Sequence, residues 1–297
     1  MKKTLTVFIL IFSLVLFTAC DVFTNSTTEF TTIENTNPEA NSEDELIPDE
    51  DDQDDSDSDN QSDISFTPSD YSFDFINIMN SIYSGNNNNG TSGYDNNTFS
   101  SNLAESKKMK VLISAPHAVR HIRLGNPKGP DTYTGSMARI LAQNFDSFLV
   151  SNVYNDPNNP RDPNYDSFSN CTYTNEVVDL INTHNIKFLL DLHGAASTRP
   201  FDIAIGTNHD DTIDYNNDIK NIIYELANKY SFMLDYNETF AATNVNTITR
   251  KVHIQTGIPT IQIEINGRYR LTKGSVKDYN KMMDFLKELT ISLDRII

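Results

Sequence analysis

Residues 186–193 of the chain read IKFLLDLH, and this stretch decides the fold class. Its residues are nearly all apolar as far as Leu192, which is typical of a strand buried on both faces inside a largely parallel sheet. Helices must cover both faces of such a sheet. The polar residues Asp191 and His193 come at the carboxyl end of this strand, where sites gather in sheets of this kind.

Predicted helices and strands alternate on either side of this strand. Apolar runs predict further strands at residues 109–114, 203–205, 231–234 and 258–265. Helical periodicity predicts helices at residues 134–148, 174–184, 212–230 and 275–296. We therefore predict an α/β fold, a three-layer α/β/α sandwich with a mostly parallel mixed central sheet, for residues 107–297.

Two other apolar runs also end in a group that binds metals or moves protons. Residues 111–117 end in His117, and residues 261–266 carry Glu264. Two imidazoles and a carboxylate at strand ends are a common basis of hydrolytic zinc sites. We therefore predict that His117 and His193 bind zinc and that Glu264 takes a proton from water and passes it to a leaving amine.

Two further polar residues lie beside these groups in the sequence. Asp191 stands two residues before His193 and can orient a ligand histidine. Asn266 shares the strand face of Glu264, because side chains alternate along a strand. We expect both to support the site without binding the metal.

Four short motifs together resemble one known family. Residues 114–118 read SAPHA, residues 162–164 DPN, residues 191–193 DLH and residues 262–266 QIEIN. In this order they resemble the signatures of the N-formylglutamate amidohydrolase family. The resemblance implies a zinc exopeptidase and phosphorylase/hydrolase-like fold related to the metallocarboxypeptidases. It also implies one zinc ion and cleavage of an amide near a free carboxylate.

The third zinc ligand has two candidates. Related carboxypeptidases use a His-x-x-Glu pair, but Arg120 stands three residues after His117 and cannot bind a metal. Asp131 resembles the acidic residue that follows the family's first motif, and we favour it. His121 is the alternative, because histidines four residues apart can face one metal on a helix.

Several arginines could bind the carboxylate of a substrate through a bidentate fork. Arg161 precedes the Asp162 motif and Arg199 follows the His193 motif, while Arg250 and Arg268 lie on either side of Glu264. Of these we select Arg161 and Arg199.

The first twenty residues indicate export. Two lysines, an apolar run from about residue 5 to 17, and Thr18-Ala19-Cys20 describe a signal peptide over residues 1–19. The end of this run resembles a bacterial lipobox, which implies lipid attachment to Cys20 and an extracytoplasmic protein anchored to the cell membrane. Phe17 departs from the usual leucine, so ordinary secretion is the alternative.

Residues 20–106 form a strongly acidic tether in the predicted domain organisation. Residues 21–106 contain no Lys or Arg and 20 Asp and Glu, whereas the remaining residues from 107 carry 21 basic and 21 acidic residues. The tether should be largely disordered, with a short helix over about residues 73–84 that either docks on the domain or stays in the linker. An acidic tether beside a neutral domain excludes nucleic acid as a partner.

We therefore predict a surface-anchored zinc amidohydrolase that acts on a small acylated amino acid, a peptide or a cell-wall fragment. Two alternatives remain. A non-catalytic binding lipoprotein could retain this fold, and Arg120 in place of a glutamate favours that possibility. A carbohydrate deacetylase could use a similar zinc site.

Overall fold

The computed structural model describes residues 66–84, 94–95, 109–153, 162–165 and 172–297. They belong to a compact unit that extends from Asn60 to Ile297. The predicted signal peptide, Cys20, most of the acidic tether and Arg161 lie outside the described residues, so they stay predictions. No helix in the described ranges is long and apolar enough to cross a membrane.

Nine strands and six α-helices make up the described part of the unit. The strands are β1 (Tyr94–Asp95), β2 (Val111–Ala115), β3 (His121–Arg123), β4 (Asn126–Lys128), β5 (Leu149–Asn152), β6 (Phe188–Ala195), β7 (Ile203–Gly206), β8 (Leu234–Tyr236) and β9 (Thr260–Asn266). The helices are α1 (Phe73–Ser84), α2 (Thr134–Phe145), α3 (Thr172–His184), α4 (Asn217–Lys229), α5 (Ile248–Thr256) and α6 (Val276–Asp294).

Seven of these strands form one mixed sheet in the order β1-β5-β2-β6-β9-β7-β8. The four central strands β5, β2, β6 and β9 are parallel to one another. The edge strand β1 and the pair β7 and β8 run the other way. The predicted mostly parallel mixed sheet is therefore confirmed.

Helices cover both faces of the sheet, as the apolar strands require. On one face α2 and α6 pack on β2 and β6, and α4 packs on α6. On the other face α3 and α5 pack against each other and contact β5, β6 and β9. Leu190 and Leu192 point to the first layer and Leu189 to the second, and all three are fully buried. The three-layer sandwich follows from this alternation.

The helix predicted at about 73–84 is confirmed as α1, and it docks on the domain instead of staying in the linker. Ile76 is fully buried in the main core beside α2, and the Tyr83 side chain is also buried there. Its amphipathic spacing therefore marks a surface that packs inside the unit.

The structure differs from the predicted elements mainly near turns. The predicted strand at 231–234 lies later, at β8, because Ser231 adopts a left-handed conformation with φ of 49° after α4. Helix α2 ends at Phe145, because Asp146 closes it with φ of 52°. The short strand β1, the β3–β4 hairpin, β5 and α5 were absent from the prediction.

Candidate metal centre and its cleft

Three predicted ligand atoms converge at the carboxyl edge of the parallel strands. His117 follows β2, His193 lies in β6, and Asp131 precedes α2. The Nδ1 atoms of the two histidines are 3.0 Å apart. Asp131 Oδ2 lies 3.5 Å from Nδ1 of His117 and 3.6 Å from Nδ1 of His193. The three side chains therefore form one group that could hold a metal ion.

The size of this triangle fits zinc. The point equidistant from its three corners lies about 2.0 Å from each, the usual length of a zinc bond to imidazole nitrogen or carboxylate oxygen. Both imidazoles are almost completely buried. Three protein ligands and one open position are typical of catalytic zinc sites.

His193 is oriented by a buried hydrogen-bond network within the sheet. Its Nε2 lies 2.9 Å from Asp191 Oδ2, as the sequence predicted for this carboxylate. The other oxygen of Asp191 accepts a hydrogen bond from the Ser114 hydroxyl at 2.7 Å. The Tyr173 hydroxyl lies 2.9 Å from Ser114 Oγ and donates to the Val150 carbonyl. A carboxylate on Nε2 leaves the Nδ1 lone pair for a metal.

His117 has the same arrangement, but its carboxylate comes from a loop. Its Nε2 lies 2.8 Å from Asp162 Oδ1. The second oxygen of Asp162 accepts a hydrogen bond from Arg123 Nε at 2.6 Å. Although burial opposes ionisation, His117 and Arg123 hold the pKa of Asp162 well below its usual range. Asp162 therefore stays ionised and fixes the tautomer of His117.

The short Asp162 loop is held in place by α5. Asn164 accepts a hydrogen bond from the Ile248 amide at the first turn of this helix, at 3.0 Å. The fully buried Lys251 donates to the Pro163 carbonyl. The motif that resembles the family's Asp-x-Asn element therefore supports His117, a predicted metal ligand.

The geometry favours Asp131 over His121 as the third ligand. The His121 ring stacks on His117, with centroids 4.3 Å apart, and its Nε2 faces Asp162 at 3.6 Å. A second possible metal group would therefore need His117 Nε2 and Asp162, which already bond to each other. Burial and the charge of His117 lower the pKa of His121 to about 4.

The Asp131 carboxylate is fixed by its own backbone and charged through its neighbours. Its amide donates to the His117 carbonyl at 2.8 Å, and Thr134 Oγ1 donates to its carbonyl at 2.7 Å. Burial would raise the pKa of Asp131, but the nearby His117 and His193 outweigh burial and hold the pKa far below its usual range. An ionised carboxylate beside two imidazoles suits a divalent cation.

Glu264 lies next to the ligand group, as the sequence predicted. It pairs in register with His193 on the neighbouring parallel strand, and the backbones of such strands lie about 4.8 Å apart. Gln262 Nε2 donates to Glu264 Oε1 at 3.0 Å. Burial raises the pKa of Glu264 to about 6, although the charge of His193 opposes this shift. A carboxyl group with a pKa near neutrality is suited to both accept and donate a proton.

The ligand group opens into a cleft of about 530 Å³, which is within the range for small-molecule sites. His117, Asp131, His193 and Glu264 form part of its lining. Loop residues 239–244 form another wall and are mostly small or polar, apart from Phe240. The site can therefore be reached by a small polar substrate.

The predicted arginines and Asn266 have different positions. Arg199 lines the cleft with its guanidinium 5.2 Å from the Phe240 ring centre, and it has no ion-pair partner among the described residues. Arg250 binds the Thr243 carbonyl, and Arg268 pairs with Asp202 outside the cleft lining.

Asn266 was expected to support the site beside Glu264, but its amide donates to the carbonyls of two residues in the Arg199 loop. It supports that loop instead.

Arg270 is a structural residue that the sequence did not predict. Its guanidinium donates to the carbonyls of Thr132, Ala195 and Ile265, and so joins the Asp131 loop to the ends of β6 and β9. A Cβ at position 194 would lie 2.5 Å from its Cζ, which explains the glycine after His193. A lone arginine in a loop gives no sequence signal for this role.

No family model matches the chain. No curated protein matches it either. The chain is similar to the crystal structure of a gene product from Agrobacterium tumefaciens, with 15% sequence identity, a TM-score of 0.44, and a match that covers 69% of this chain and 95% of that one. It is also similar to a bacteriophage poly-gamma-glutamate hydrolase, with 14% identity, a TM-score of 0.42, and coverage of 65% of this chain and 88% of that one. The likeness to N-formylglutamate amidohydrolase from Ralstonia eutropha has 13% identity, a TM-score of 0.38, and coverage of 65% of this chain and 96% of that one. Such distant likenesses carry no functional argument.

Proposed function

We propose that this protein is a zinc-dependent hydrolase that cleaves the amide bond of an N-acyl amino acid, a small peptide or a cell-wall fragment. The observation that carries the proposal is the contact of three acceptor atoms from His117, His193 and Asp131. Since Nε2 of each histidine faces a carboxylate, both Nδ1 lone pairs and the Asp131 oxygen point at one another. A proton satisfies one pair of these atoms, whereas a central cation satisfies all three.

Zinc bound by these residues would supply a Lewis acid that polarises the amide carbonyl and makes water more acidic. His117, His193 and Asp131 would hold it. Asp191 and Asp162 keep the imidazoles in the tautomer that exposes Nδ1. The exposed side of the group faces the cleft, where water and substrate enter.

Glu264 is the proposed proton carrier. Its carboxylate takes a proton from the attacking water while the water oxygen forms a bond to the amide carbon. When the carbon–nitrogen bond breaks, Glu264 returns this proton to the departing nitrogen. The products are a carboxylic acid and an amine. Gln262 supports this role, because its amide holds one Glu264 oxygen and leaves the other for water.

Arg199 is the proposed site for a substrate carboxylate. Its guanidinium reaches the cleft and stacks on Phe240, so its position is set by an aromatic ring and leaves its donors for a ligand. A bidentate pair with a carboxylate would orient the scissile amide. Arg161 lies outside the described residues and remains a second candidate for this role.

We also propose that the enzyme acts outside the cytoplasm, anchored to the membrane by lipid at Cys20. The signal-like residues 1–19 and the acidic tether of residues 20–106 support this location. In cells, the wild-type chain should be found with membranes and incorporate a labelled fatty acid. Cys20→Ser should abolish the label, and an unlabelled wild-type chain would refute the anchor.

The function is tested with the purified full-length chain and a panel of acylated amino acids, acidic peptides and acetylated sugars. We expect about one zinc per chain and release of amine from an amide substrate. Glu264→Gln should retain zinc and lose at least 100-fold in kcat, the lower range for a general base. Glu225→Gln on the exposed side of α4 is the matched control and should keep full activity.

Three results would contradict the proposal in different ways. A metal-free chain from a zinc-replete preparation would refute the zinc site. Full activity in Glu264→Gln would refute the proton carrier. Turnover of acetylated sugars alone would replace the amidohydrolase with a carbohydrate deacetylase.

A further inference from the structure

Residues 66–84, here called the strap, are fastened along α6. Ser69 and Tyr71 donate their backbone amides to Asp284 and Asn280, at 2.6 and 3.1 Å. Lys287 donates back to the Thr67 carbonyl at 2.6 Å. These contacts join residues more than 200 positions apart in the chain. The strap is therefore part of the folded unit.

The last full turn of α1 packs beneath the His117 loop. The Tyr83 hydroxyl lies 2.9 Å from Ser151 Oγ in β5, and both groups are buried. A Cβ added at Gly135 would meet the Tyr83 ring at 2.7 Å and Ala118 Cβ at 2.8 Å. The ring therefore occupies a tight space between the first turn of α2 and the residue directly after His117.

A second contact joins the strap to the Asp131 turn. Asn77, in the middle of α1, accepts a hydrogen bond from the Tyr133 hydroxyl at 3.0 Å. Tyr133 lies two residues after Asp131 in a left-handed conformation with φ of 71°. Such a conformation is costly for a tyrosine and needs support from its surroundings. The strap thus contacts the chain next to two of the three ligands.

We propose that the strap positions the metal ligands, with Tyr83 as the main positioning residue. The inference rests on the proposed metal site. Tyr83 limits movement of the His117 loop by filling the space beside Ala118 and Gly135. Asn77 limits movement of the Asp131 turn through Tyr133. The strap therefore contributes to the proposed metal site.

The test compares two large-to-small substitutions in the same helix. Tyr83→Ala removes the ring beside the His117 loop, whereas Ile76→Ala removes another buried side chain about two turns earlier on the same helix face. The affinity of each full-length chain for zinc is measured by competition with a chelator, and its thermal stability is measured in parallel. The visible absorption of bound Co²⁺ reports the coordination geometry.

We expect both variants to lose stability and only Tyr83→Ala to lose metal binding. Its affinity for zinc should fall 10- to 100-fold, the usual effect of losing a residue that supports a ligand, and its Co²⁺ spectrum should change. Tyr83→Phe keeps the ring and should restore most of the affinity. Ile76→Ala should stay within threefold of the wild type.

Equal losses of affinity in Tyr83→Ala and Ile76→Ala, with a zinc-loaded wild type, would overturn the positioning role and leave the proposed function intact. Unchanged affinity in Tyr83→Ala would do the same. A wild-type chain that binds no zinc would instead refute the metal site and, with it, the role of the strap.

Discussion

The two predicted ligand histidines are supported in the same way by different parts of the molecule. His193 depends on Asp191, Ser114 and Tyr173, which we call the sheet arm, and all three side chains are fully or almost fully buried. His117 depends on Asp162 and Arg123, which we call the loop arm, and a third of the Arg123 side chain is exposed.

The different burial of the two arms predicts that the sheet arm is the more rigid support and the loop arm the more adaptable one. Hydrogen bonds between buried polar groups are costly to break, because the groups left behind have no water to bind. The sheet arm should therefore act as a fixed reference for the metal. The loop arm can exchange contacts with solvent and with a substrate in the cleft, since Arg123 lines it.

The largest effect is expected from breaking the sheet arm at its carboxylate. Asp191→Ala leaves His193 Nε2 without its buried partner, and the Ser114 hydroxyl loses its acceptor and keeps only its contact with Tyr173. Unfolding free energy should fall by about 1–3 kcal/mol for each group left unsatisfied, and zinc affinity should fall 10- to 100-fold. Chemical denaturation and chelator competition measure the two effects.

Asp162→Ala should affect zinc affinity to a similar degree with a smaller cost in stability. His117 Nε2 and the Asn164 amide lose their acceptor, but Arg123 can turn towards water. We expect a 10- to 100-fold loss of zinc affinity and a smaller loss of unfolding free energy than in Asp191→Ala. The same two measurements apply, and equal losses of stability in both variants would remove the distinction between the arms.

The smallest effect on zinc affinity is expected at the outer end of the sheet arm. Tyr173→Phe removes the hydroxyl that donates to Val150, accepts from the Ala115 amide and contacts Ser114, but it leaves the pair of Asp191 and His193 intact. Unfolding free energy should fall by about 1–3 kcal/mol, and zinc affinity should stay within threefold. A tenfold loss of affinity would show that the network is more tightly coupled than its geometry indicates.

The sequence was most informative where chemistry and the strand pattern coincide. An apolar run interrupted only by Lys187 and Asp191 predicted the central strand, and the polar residues at strand ends placed His117, His193 and Glu264 at one edge of the sheet. Local pattern alone was enough there, because parallel strands bring their carboxyl ends together. Asp131 came from the resemblance to a family motif, and the structure brings it to the two histidines.

The sequence was least informative where long-range packing decides. Asp162 and Arg123 lie 39 residues apart in the chain, and no periodicity links them. Arg270 binds three carbonyls from separate segments, which no local motif could indicate. The helical part of the strap was predicted at about residues 73–84, but the residues that precede it bind partners on α6 more than 200 residues away.

The zinc site itself is tested most directly by anomalous diffraction at the zinc absorption edge on crystals of the zinc-loaded chain. We expect one strong anomalous peak for a zinc ion bound by His117 Nδ1, His193 Nδ1 and Asp131 Oδ2. Nε2 of His117 should still bond to Asp162, and Nε2 of His193 to Asp191. A peak bound through Nε2, a peak on His121 in place of Asp131, or no peak at all would contradict the account.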